Sequence, residues 1–158
     1  MPILNYTTTV EAAKTVAEIQ GILAKNGARS ITTDFDDAGN VSGVSFVVLI
    51  DGLPLSIRLP CNVEGVYGKL WNAKGVPRRS KTQAQARRVA WRILKDWVEA
   101  QLALYQIGQA EMAQVFMPYA INSEGRTAYQ MFRESHVRQL KPAPDNVVEG
   151  NFKTAIEG

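Results

Sequence analysis

Seven basic residues, Arg78, Arg79, Lys81, Arg87, Arg88, Arg92 and Lys95, occupy one window of the chain with no Asp or Glu between them. A guanidinium presents a planar fork of N–H donors that fits phosphate oxygens two at a time. Cations one helical turn apart can therefore follow a nucleic-acid backbone. Trp91 sits among them, and an indole open to solvent can stack on an unpaired base. The chain carries 18 Lys and Arg against 15 Asp and Glu, so the other 11 cations face 15 acids and everything outside the window is net −4. The chemistry on offer is anion binding, with nucleic acid, DNA or RNA, as the expected partner. The same residues also suit a solvated helix face, with Trp91 covered by arginine stems or by another part of the domain. Arg79 and Lys81 oppose the helix macrodipole, and a bound anion would remove that conflict.

Other chemistry is sparse. Asp34, Asp36 and Asp37 form the one acidic cluster. Their loop lacks an oxygen ligand at Ala38 and a Glu at the twelfth position, so it reads as a polar hairpin turn and not as a calcium loop. His136 is the single histidine and has no zinc-ligand spacing around it. Cys61 is the single cysteine, which excludes an intrachain disulfide and suits a small core residue in a reducing cytoplasm. Gly65, Gly68 and Gly75 fit neither a P-loop nor a dinucleotide fingerprint. No catalytic set, metal or cofactor is expected.

These residues need elements to place them. Thr8 followed by Glu11 reads as a capping box for a helix over about 9–26, stopped by Asn26-Gly27. Three strands follow: about 29–35, 41–50, and a third in which Leu53, Leu55, Ile57 and Leu59 alternate with polar positions. Asp51-Gly52 is a strong hairpin signal. A helix over about 62–74 starts at Asn62, and a long helix over about 82–107 starts at a second capping box, Thr82 with Gln85. Stepping 100° per residue puts Ala86, Val89, Ala90, Ile93, Leu94, Trp97, Ala100 and Leu104 on one apolar face of that helix. Arg88, Arg92 and Lys95 fall opposite, with Trp91 at the border. Short helices over 109–117 and 127–139 complete the order. The expected fold is α+β, a three-stranded antiparallel sheet packed on one face by helices. One domain should cover 1–140, with a mobile tail at 141–158. The longest apolar run, Phe46 to Ile50, is too short to span a bilayer.

Two resemblances add to this. The order helix, three antiparallel strands, basic helix is similar to the double-stranded-RNA-binding domain, and Arg79-Ser80-Lys81-Thr82-Gln83-Ala84 looks like the basic opening of that family's second helix. The resemblance implies phosphate contact from that opening. Here a whole helix intervenes before it, and the first hairpin loop is acidic. The segments Arg88 to Gln101 and Gln114 to Tyr119 resemble a set of small uncharacterised proteins of bacteria and their phages, which implies a prokaryotic or phage-encoded cytoplasmic protein. The leading expectation is a nucleic-acid-binding accessory protein that uses Arg78, Arg79, Lys81, Arg87, Arg88, Trp91, Arg92 and Lys95. The alternative is a non-enzymatic protein–protein interaction module or homo-oligomeric regulator.

Overall fold

The Asp51-Gly52 turn has positive φ at both residues, 49° and 81°, which is the backbone a two-residue type I′ hairpin needs. It joins β2 (Val41–Ile50) to β3 (Leu53–Arg58), and β1 (Ser30–Phe35) pairs antiparallel on the other side of β2. The computed structural model describes residues 1–140, so the expected tail 141–158 lies outside the described residues. Among the described residues, five α-helices accompany the sheet: α1 (Ala12–Lys25), α2 (Val63–Asn72), α3 (Gln83–Gln106), α4 (Met112–Phe116) and α5 (Ala128–Ser135). The fold is α+β. Among the described residues, no helix is long and apolar enough to cross a membrane.

Alternation along the strands sends Val44, Phe46, Val48 and Ile57 to one face, where they meet Val16, Ile19 and Leu23 of α1. Trp91, Leu94, Val98 and Leu102 of α3 and Phe116 of α4 complete this core. A second cluster joins Val66 and Leu70 of α2 to Val76 and to Ala86, Val89 and Ala90 of α3. α3 therefore lies between α1 and the sheet on one side and α2 on the other. The opposite sheet face is polar, with Ser30, Thr32, Ser45 and Ser56 around an Asp34–Arg58 ion pair of 3.6 Å. Leu53, expected to face the core, is exposed beside the Asp51-Gly52 turn. Pro54 lies within β3, at the edge of the sheet, where its missing N–H breaks no ladder bond.

Two helix starts differ in mechanism. Asn62 caps α2 as its sequence predicts, its Oδ1 accepting from Gly65 N at 2.8 Å. The capping box expected at Thr8 does not form. Thr8 Oγ1 accepts from Val10 N at 3.3 Å, the helix begins at Ala12, and the Glu11 carboxylate turns to Arg88 instead. A cation on α3 outcompetes a backbone amide for that carboxylate.

Candidate functional site

The basic residues of the 78–95 window do not form an open stripe. Arg88 Nε donates to Glu11 Oε1 at 2.9 Å, and Arg92 Nη1 donates to Glu18 Oε2 at 2.6 Å. Both carboxylates belong to the α1 region. Lys95 meets Glu99 one turn along α3 at 2.8 Å. Lys81 Nζ donates to the carbonyls of Trp71 and Ala73, at 2.8 and 3.0 Å, and so caps the C-terminal end of α2. Arg87 faces the first hairpin, where the Asn40 amide foremost, with a small contribution from Arg87, holds the Asp36 carboxyl below its usual range. Arg78 and Arg79, in a 3₁₀ turn, are exposed and meet no carboxylate within 4 Å among the described residues.

Trp91 corrects the sequence reading most sharply. It is fully buried, with 0% exposure, and cannot stack on a base. Trp91, Leu94, Val98 and Leu102 make a second apolar row at i, i+3, i+7 and i+11, and that row is the one facing α1 and the sheet. A helix covered on two sides has a wider buried arc than one resting on a single layer. Arg88 and Arg92 fringe that arc and are met by acids from across it, while Lys95 is met by Glu99 of its own helix. Trp97, expected on the apolar face, is half-buried; its ring stands edge-on to Phe116 and Tyr119 at 5.7 and 5.3 Å.

No three His, Cys, Asp or Glu converge as a metal site among the described residues. Burial pushes the Cys61 thiol up to about 12, so it is protonated at neutral pH. His136 bonds its neighbour Ser135 and stacks on Phe132.

What the structure does open is a groove of about 450 Å³ between α2 and α3. Gly65, Val66 and Lys69 line one wall with Asn62, and Ala90, Ile93, Leu94 and Trp97 line the other. Both sets follow i, i+3, i+4, i+7, so each helix turns one continuous stripe to the groove along its length. Ile3, Pro60 and Tyr119 complete the lining, and Lys69 is the one charged residue in it. The signal was present in the sequence as two matched stripes, but nothing in it says that they face each other.

A smaller cleft of about 330 Å³ lies between the segment before α1 and the turn before α3, with Arg79 on its wall.

Comparison with protein-family models, with curated proteins and with solved structures returned no match.

Proposed function

We propose that this chain is a non-enzymatic protein-interaction module that takes an apolar segment of a partner protein, bearing an acidic side chain, in the α2–α3 groove. The observation that carries this reading is the pair of matched stripes, with an apolar floor of Val66, Ala90 and Leu94 and the Lys69 ammonium at the rim. A helix laid along such a groove buries its own i, i+3, i+4, i+7 face, and Lys69 selects for a carboxylate beside it. Five of the eight residues that recommended the nucleic-acid reading are engaged within the fold. Trp91 is in the core, and Lys81, Arg88, Arg92 and Lys95 have internal partners.

A photo-crosslinking side chain placed at position 69 in the producing cell tests the proposal, with position 32 on the opposite sheet face as control. Position 69 should capture one protein, and position 32 should not. The purified partner should bind the wild-type chain and lose at least about tenfold in affinity to Ile93→Asp, because a charge is then buried against its apolar face. Capture of a second copy of this chain would replace the partner by a homo-oligomer. Equal capture from both faces, or binding indifferent to Ile93→Asp, would overturn the groove.

A further inference from the structure

We infer that the cleft before α1 and α3 is an oxyanion site whose ligand is a phosphate monoester group, separate from the groove. Of the seven cations in the 78–95 window, Arg88, Arg92 and Lys95 meet carboxylates and Lys81 meets backbone carbonyls. Among the described residues Arg79 meets neither, and it lines a cleft with no Asp or Glu in its wall. Thr7, Thr8, Thr9 and Ser80 line the same cleft, and they bring hydroxyl donors to the space the guanidinium commands. An unpaired guanidinium among hydroxyls, with carboxylates absent, selects an anion with several acceptor oxygens, and phosphate matches its fork.

The wall opposite Arg79 is held in place. Gln85 Nε2 donates to the carbonyls of both Tyr6 and Thr8, each at 2.9 Å, and so ties the threonine segment to the first turn of α3. The cleft therefore needs little rearrangement to receive a ligand. Its volume of about 330 Å³ exceeds the space of a bare phosphate and leaves room for a small organic body beside it.

The test is a titration of the full chain with inorganic phosphate, and separately with glycerol 2-phosphate, followed by backbone amide NMR at constant ionic strength set with chloride. The expected result is saturable shifts confined to 7–9, 75 and 79–80, tighter for the ester than for inorganic phosphate. Arg79→Gln should weaken binding at least about tenfold, the loss of one charge-assisted contact. That variant removes no internal contact, so an unchanged far-ultraviolet spectrum and melting point should accompany it. Shifts that chloride alone reproduces, shifts spread over the surface cations, or affinity unaffected by Arg79→Gln would overturn the site. Tighter inorganic phosphate than ester would restrict it to the free anion and refute the ester assignment. None of these outcomes depends on the groove.

Discussion

Trp91 places its whole indole in the core yet leaves its Nε1–H without an acceptor. A buried donor left unpaired offsets part of what the ring contributes. Trp91→Ala should therefore cost about 3–5 kcal/mol, whereas Trp91→Phe should cost about 1–2 kcal/mol, since it removes the orphan donor along with the volume. Urea denaturation of the two variants measures the difference, and equal losses would contradict it. The cations beside Trp91 behave differently from surface charge. Changing Arg88, Arg92 and Lys95 together to Gln should destabilise by about 1–2 kcal/mol, from pairs worth about 0.2–1 kcal/mol each. In that background Glu18→Gln should add almost nothing, because its partner is already gone. Cys61 carries a pH consequence. Its thiol ionises near 9 in the unfolded chain and near 12 in the fold, so stability is unaffected below about pH 9 and falls as pH rises from there towards 12. At pH 8.5 iodoacetamide should alkylate it slowly in the native protein and quickly in urea. At this scale the sequence was a good guide to identity and a poor one to exposure. A helical wheel shows that Arg88, Arg92 and Lys95 share a face, but the number of layers packed around the helix decides whether that face is solvent.

Among the elements, the hairpin was legible because Asp51-Gly52 admits few alternatives, and α2 was legible because Asn62 precedes a periodic apolar run. The start of α1 was not, since the two candidate partners of Glu11 are the local amide and a residue 77 positions away, and only the local one is visible in a sequence window. Asn62 also sets a limit on its neighbour. A Cβ at position 65 would lie 2.6 Å from Asn62 Nδ2, so Gly65→Ala should push the cap aside. Its cost should match that of Asn62→Ala, about 1 kcal/mol, and the double variant should cost no more than either alone. Thermal melts of the three proteins decide this. Gly43 does similar work on the polar sheet face, where a side chain would come within 3.1–3.2 Å of Arg58 and Asp34. Its missing Cβ leaves space for that pair to meet across β2.

At the scale of the whole molecule, α3 is shared by both apolar clusters, and the N-terminal segment is tied to it. Asn5 Nδ2 donates to Asp96, Gln85 holds the Tyr6 and Thr8 carbonyls, and Glu11 and Glu18 pair with Arg88 and Arg92. The +7 window of the sequence and its net −4 remainder are thus partly neutralised in space, which no linear count of charge can show. A fragment of residues 1–81 keeps α1, the sheet and α2 but loses Trp91, Leu94, Val98 and Leu102 from the core. It should unfold without a cooperative transition, and a sharp melt would show that the sheet is independently stable. The ribosome makes that fragment in every round of synthesis. The Glu11–Arg88 and Glu18–Arg92 pairs join positions 77 and 74 apart. At ~5–20 residues per second, about 4–15 s pass between the two partners of each pair. Through that interval Phe46 and Ile19 have no α3 to cover them, and holdase chaperones are their natural shield. Codon choice between Gln83 and Leu102 then governs how long the nascent sheet is open to other chains, which makes translation speed there a determinant of soluble yield.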